Sequence, residues 1–288
     1  MPATVPDLLT ALRAGGSVIA AELRPPRAEL AAREGMDAWI DTYHAVKRLT
    51  QRGTFVFLTD SAVGADEEDN LRHLVINLGR DVPRERVVPF MTVKHTLDYC
   101  LSYAERARQN GFPDLVVLGG DKALGIPRCV EHAWQLREMI RMRDTTLALG
   151  GWANPLTDPE RQADFLTAGN LHAEFYLTQV VSHHHAAQVE RFVDVTNHRG
   201  VALPGVFGVF YYRSANPRTL AALSAFLPVP AEQLTREFEG GDTAEDICAR
   251  TIRTLADAGA RHFYISNLPI GRAPAVLTAI LDKAGVTV

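Results

Sequence analysis

Long apolar runs are missing from this 288-residue chain. No stretch of 18 apolar residues occurs, so no segment reads as a membrane-spanning helix. The start lacks the basic-then-apolar pattern of a secretory leader, with Asp7 falling early, and the expectation is a cytoplasmic protein. Cysteine is scarce: Cys100, Cys129 and Cys248 are far apart, with no CxxC, which excludes a disulfide scaffold or a thiolate zinc site and fits a reducing compartment. An excess of positive charge is also missing. The 30 Lys and Arg are outweighed by 34 Asp and Glu, so the net charge of −4 offers no footprint for nucleic acid or an anionic membrane. Only four of those basic residues are lysine (Lys47, Lys94, Lys122 and Lys283), which we read as coding bias.

What is present is a recurring apolar pulse. Strand-like runs fall at Ser17–Leu23, Thr54–Thr59, Val87–Thr92, Asp114–Leu118, Thr146–Gly150, Glu174–Gln179, Gly205–Phe210 and His262–Asn267. Most are continuously apolar, as strands covered on both faces must be. Their starts lie about 30 residues apart, the length of one βα unit, except for a longer last interval with room for two helices. Helical spacing marks Asp37–Gln51, Asp66–Leu78, Leu97–Asn110, Pro127–Arg141, Pro159–Ala168, Ala187–Arg199, Pro217–Phe226 and Thr243–Ala258, with Gly111, Gly169 and Gly200 as C-terminal stops. A short helix, Pro6–Ala14, precedes the first strand. Eight such units predict a single (β/α)8 barrel domain over residues 1–288. An open dinucleotide-binding sheet is disfavoured because no GxGxxG turn follows an early strand.

A barrel builds its site at the C-terminal ends of its strands. Glu22 stands near the end of strand 1, among Ile19, Ala20, Ala21 and Leu23 and before Pro25-Pro26. A carboxyl group there is either protonated, and able to act as a general acid, or ion-paired, with Arg24 or Arg27 as partner. Asp121 follows Gly119-Gly120. Its carboxylate could take two N–H donors from an amino-pyrimidinone ring, or could cap a turn. Gln179 ends strand 6 with an amide that can read a donor and an acceptor edge together. Thr59, Asp60, Thr92, Trp152, Tyr211, Tyr212 and Asn267 occupy other strand ends. No metal site is expected. His183-His184-His185 is read as a solvated helix start, since consecutive helical residues point apart. Asp66, Glu67, Glu68 and Asp69 read as a helix N-terminus.

Five short motifs then occur in order: Ala21-Glu22-Leu23-Arg24-Pro25-Pro26-Arg27, Leu118-Gly119-Gly120-Asp121-Lys122, Tyr176-Leu177-Thr178-Gln179, Pro204-Gly205-Val206-Phe207 and His262-Phe263-Tyr264-Ile265-Ser266-Asn267. Together they resemble the signatures of 5,10-methylenetetrahydrofolate reductase, over about residues 20–267. The resemblance implies a (β/α)8 barrel and reduction of 5,10-methylenetetrahydrofolate to 5-methyltetrahydrofolate. It implies Glu22 as the acid that protonates folate N10, Asp121 and Gln179 as pterin-holding groups, and Tyr212 as an aromatic able to stack on a flat ligand. NADH or NADPH would supply the hydride, and we assign Thr59, Gly119, Gly120, Trp152 and Asn267 to that nicotinamide ligand.

The departures concern the flavin. The family's strand-4 motif carries arginine where Gly119 stands, its strand 3 ends with a histidine near the position of Phe90, and a tyrosine follows its strand 5 near the position of Trp152. The segment Asp164–Asn170 has no basic residue. A flavin diphosphate wants cations or free backbone N–H groups. The pattern therefore resembles the flavin-independent actinobacterial branch, with FAD absent and hydride passing directly from the nicotinamide. An FAD-dependent reductase of the same reaction, a related barrel acting on another pterin or amine, and a non-catalytic folate-binding barrel are the alternatives.

Overall fold

Period-2 alternation divides the strand residues into two sets. The strands are β1 (Ile19–Leu23), β2 (Phe55–Leu58), β3 (Val87–Thr92), β4 (Asp114–Leu118), β5 (Ala148–Ala153), β6 (Phe175–Val181), β7 (Gly205–Phe210) and β8 (His262–Ser266). Ala20, Phe57, Val88, Val116, Leu177 and Tyr264 pack with one another in one buried cluster, while Ala21, Val56, Val117, Leu149 and Ile265 pack with helix side chains in a second. The first cluster fills the barrel and the second glues it to its helical coat. A continuously apolar strand is the direct consequence of both faces being covered.

The computed structural model describes residues 5–26, 30, 32–60, 78–79, 81–122 and 125–286. All eight strands pair in parallel in sequence order, and β1 closes on β8 with Ala20 opposite Tyr264 and Ala21 opposite Ile265. This is the (β/α)8 barrel that the strand count predicts. Two interior glycines make room for large rings. A Cβ on Gly150 would lie 2.7 Å from the Phe175 ring, and one on Gly208 would collide with the Tyr264 hydroxyl. Small against large is how a closed barrel of this size fills its interior.

The helices are α1 (Leu8–Arg13), α2 (Ala32–Gln51), α3 (Leu97–Gln109), α4 (Ala133–Arg143), α5 (Pro159–Thr167), α6 (Ala186–His198), α7 (Pro217–Ser224), α8 (Ala231–Glu239), α9 (Ala244–Asp257) and α10 (Ala273–Ala284). The short α1 plugs the N-terminal end of the barrel, sending Leu8 and Leu12 into the interior cluster. Asp7 caps it by accepting from the Thr10 N–H at 2.7 Å. The Leu8 N–H donates to Asp114 at the start of β4, at 3.0 Å.

Several sequence boundaries move. Strand 5 spans Ala148–Ala153, later than Thr146–Gly150, because Asp144 accepts from Thr146 and Leu147 and holds that stretch as a turn. α4 begins at Ala133, not Pro127, because residues 127–132 form the loop beside the barrel mouth. Gly111 and Gly200 end their helices with φ of 83° and 66°, whereas Gly169 is not among the positive-φ glycines. α8 and α10 are additional to the predicted set. The expected helix Asp66–Leu78 and its acidic start lie outside the described residues, apart from Leu78.

Candidate functional site

The inward-facing parity of each strand, followed upward, leads to one cavity of about 550 Å³ at the C-terminal mouth. Ala20 is interior, so Glu22 is the next inward position of β1. The same step takes Phe57 to Thr59, Phe90 to Thr92, Val116 to Leu118, Gly150 to Trp152 and Tyr264 to Ser266. All of these upper residues line the cavity. Leu177 to Gln179 is the same step in β6. The β6–β7 register shifts between Leu177 and Val180, and with this bulge the consecutive Val180 also lines the cavity. There the Thr178 hydroxyl takes the Gly208 N–H at 3.0 Å, and the Gln179 side-chain oxygen accepts from the Val180 N–H at 3.1 Å.

Glu22 Oε1 accepts a hydrogen bond from the Ser266 hydroxyl at 2.7 Å, across the β1–β8 closure. The expected ion-pair partner Arg27 lies outside the described residues. Burial raises the Glu22 pKa above its ordinary 4.5, and the Ser266 hydrogen bond partly opposes the rise. Beneath it, burial and the Glu22 charge push the Tyr264 phenol well above 10. Its hydroxyl donates to the Thr178 carbonyl at 2.6 Å and so braces the Gln179 bulge.

Asp121 is partly buried and lines the same cavity as Gly119 and Gly120, the latter with a φ of 66°. Trp152 stands at the rim, 40% exposed. Two sequence candidates lie elsewhere. Tyr212 is buried, packs on Phe210 with ring centroids 4.8 Å apart, and is not among the lining residues; Phe210 supplies the aromatic surface there. Asn267 follows the inward-facing Ser266 and so has the opposite parity. It adopts a left-handed φ of 68°, donates to the Tyr211 carbonyl at 3.0 Å, and turns the chain out of β8.

Other lining residues drew little or no weight in the sequence. Asp60 accepts from the Thr92 N–H at 2.7 Å and the Thr92 hydroxyl at 3.0 Å, and His95 Nε2 lies 2.8 Å from the same oxygen. This ties the ends of β2 and β3 together. Phe226, 58% exposed, and Leu227 reach the cavity from the connection between α7 and α8. Arg128 lines it from the β4–α4 loop, and its guanidinium occupies the space over Gly119. The missing arginine at position 119 is thus not a missing cation at that strand end. A residue nine positions on fills the space, which spacing alone could not reveal.

The three consecutive histidines also correct a sequence expectation. His183–His185 form a 3-10 turn, and His183 and His184 both reach Glu237 of α8, at 2.7 and 3.3 Å. The tight turn brings the two rings together, tilted by 42° with centroids 3.9 Å apart, and each takes a different carboxylate oxygen. Arg250 also donates to Glu237, at 2.6 Å. Their ligand atoms lie within 4.8 Å of one another, but that guanidinium already compensates the carboxylate. We read the group as a clamp between the end of β6 and α8.

No protein-family model matches the chain, and no curated protein matches it in sequence. Solved structures do match in shape. An uncharacterized protein from Clostridium thermocellum, described as binding two copies of 5-methyl-5,6,7,8-tetrahydrofolic acid, superposes with a TM-score of 0.66 at 15% identity. The match covers 93% of this chain and 96% of that one. A protein from Aquifex aeolicus VF5 superposes with a TM-score of 0.50 at 12% identity, over 94% of this chain and 89% of that one. At such identities the likeness establishes a shared fold. Among the described residues no helix is long and apolar enough to cross a membrane.

Proposed function

We propose that this barrel reduces 5,10-methylenetetrahydrofolate to 5-methyltetrahydrofolate, with hydride supplied directly by NADH or NADPH. The observation that carries the reading is one cavity lined by a carboxyl group with a raised pKa, Glu22, and by Asp121 and Gln179, the two groups suited to a pterin edge. The ligand named for the Clostridium thermocellum structure is the product of this reaction, which supports the same substrate class here.

Neutral Glu22 gives its proton to folate N10. The bond from N10 to the bridging methylene breaks, and N5 becomes an iminium. Hydride from C4 of the dihydronicotinamide adds to that carbon and makes the methyl group, leaving the oxidised nicotinamide. Glu22 regains its proton from water. The raised pKa is what lets a carboxylic acid hold a proton for this step near neutrality. Both substrates have to be aligned in the one mouth, where proximity replaces a covalent relay.

The resemblance also implies FAD, and the residues present fit it poorly. Among the described residues Arg128 is the one basic side chain lining the cavity; Arg199, which binds the α5 acids at 2.6 and 2.8 Å, is not among its lining residues. The single Arg128 cation serves one oxyanion, so a resident flavin diphosphate would compete for it with the nicotinamide donor or the folate carboxylate. The proposed hydride path runs from nicotinamide to folate without a flavin.

The test is the visible spectrum of the protein as purified, with an assay of folate-dependent NADH and NADPH oxidation. Turnover without flavin absorbance is the expected result. Stoichiometric flavin whose removal abolishes activity would overturn the direct transfer. Glu22→Gln is expected to bind folate and lose turnover by about 100-fold or more, the scale of a lost general acid. Normal turnover in that variant would remove Glu22 from the mechanism. Folate binding without turnover in the wild type would favour a non-catalytic barrel.

A further inference from the structure

We propose that Arg128 is an anion-docking residue of the mouth, taking a phosphate or carboxylate oxygen of a bound ligand. Its setting is built rather than incidental. Lys94, only 1% exposed, donates to the Ile126 carbonyl at 2.7 Å, and the Cys129 N–H donates to the Val93 carbonyl at 2.8 Å. These two bonds fasten the loop on both sides of Arg128 to the end of β3. The guanidinium then lies over Gly119. A Cβ there would come within 2.9 Å of Nη2 and 3.1 Å of Cζ, so glycine at 119 is what admits the group. Nη2 donates to the Gly120 carbonyl at 2.5 Å and Nη1 to the Glu131 carbonyl at 3.3 Å. Nε is buried with no hydrogen-bond partner among the described residues.

Neutral carbonyls orient a guanidinium but do not neutralise it. Its charge faces a cavity whose other ionisable lining groups, among the described residues, are the acids Glu22, Asp60 and Asp121 together with Tyr264. Glu22 is engaged by Ser266 and Asp60 by Thr92 and His95. A positioned arginine at such a mouth suits an oxyanion, which it can hold through paired donors. Two sources share that chemistry under the reductase reading, on which only their identity rests. One is the pyrophosphate of the dinucleotide and the other is the glutamate carboxylate of the folate.

Calorimetric titration with two isolated anions tests the assignment. Inorganic pyrophosphate stands for the first source and p-aminobenzoylglutamate for the second. Wild-type protein is expected to bind at least one of them, and Arg128→Gln to weaken that one at least tenfold. Gly119→Ala keeps the guanidinium but displaces it, and the same ligand is expected to weaken. Circular dichroism confirms that the variants fold. The anion that is lost identifies the source. If the wild type binds neither anion, or if Arg128→Gln binds both within twofold of wild type, the proposal is overturned. Arg128-dependent anion binding in a protein that does not reduce the folate upholds the docking residue and defeats the reductase reading instead.

Discussion

Removing the Ser266 hydroxyl isolates the one contact among the described residues that opposes burial at Glu22. The carboxyl sits above its ordinary pKa of 4.5 because burial disfavours the charged form, while the 2.7 Å bond from Ser266 stabilises the carboxylate. Ser266→Ala takes away that stabilisation and leaves burial unopposed. A hydrogen bond of this kind contributes about 0.5–1.5 kcal/mol, and one pKa unit corresponds to about 1.4 kcal/mol. Glu22 should therefore titrate higher still in the variant, to the extent that the lost hydrogen bond favoured the carboxylate. The assay is a carbon-13 carboxyl NMR titration of glutamate-labelled protein, with the Glu22 resonance assigned by its loss in Glu22→Gln. Turnover gives a second reading. A general acid works only while protonated, so the alkaline limb of the pH profile should move upward by the same amount. A Glu22 midpoint that falls in Ser266→Ala would refute the assignment of opposing causes. A wild-type midpoint at or below 4.5 would refute the raised pKa itself.

Asp114 behaves likewise at the opposite end of the barrel, where burial lifts its pKa from 3.8 to about 7. The folded state holds that proton more tightly than the unfolded chain, so stability should fall as pH rises from about 4 through about 7. Asp114→Asn, which keeps an oxygen for the Leu8 N–H, should flatten this slope in urea unfolding at pH 4.5, 6 and 8; an unchanged slope would exclude Asp114 as its source. Gly208→Ala should lose about 1–3 kcal/mol in the same assay, because its Cβ meets the Tyr264 hydroxyl. Wild-type stability in that variant would mean the ring moves freely. Glu237→Ala should cost about 1–3 kcal/mol by taking the partner from His183 Nε2, His184 Nε2 and Arg250 Nη1, while EDTA should leave the wild-type melting temperature unchanged. A drop with EDTA would make the clamp a metal site.

The eight strands were legible because each is a short apolar run covered on both faces, and three boundaries (Val87–Thr92, Asp114–Leu118 and Gly205–Phe210) match residue for residue. The ends that moved are those where a side chain competes with the ladder, as Asp144 does before β5. Of the nine candidate site residues, Glu22, Asp121, Gln179, Thr59, Gly119, Gly120 and Trp152 line one cavity. Tyr212 and Asn267 do not, because being near a strand end in sequence is not the same as facing inward.

The sequence by itself determined the barrel, since a period of about 30 residues and two-sided apolar strands admit little else, and it marked the carboxyl and amide groups stranded at the strand tips. Tertiary structure alone decided who meets whom. Closure of β1 on β8 sets Ser266 against Glu22 across 244 positions. A bulge in β6 brings Val180 to the mouth beside Gln179, and a loop pinned by Lys94 carries Arg128 over Gly119. These are long-range contacts fixed by register and packing, and no local pattern in the chain encodes them.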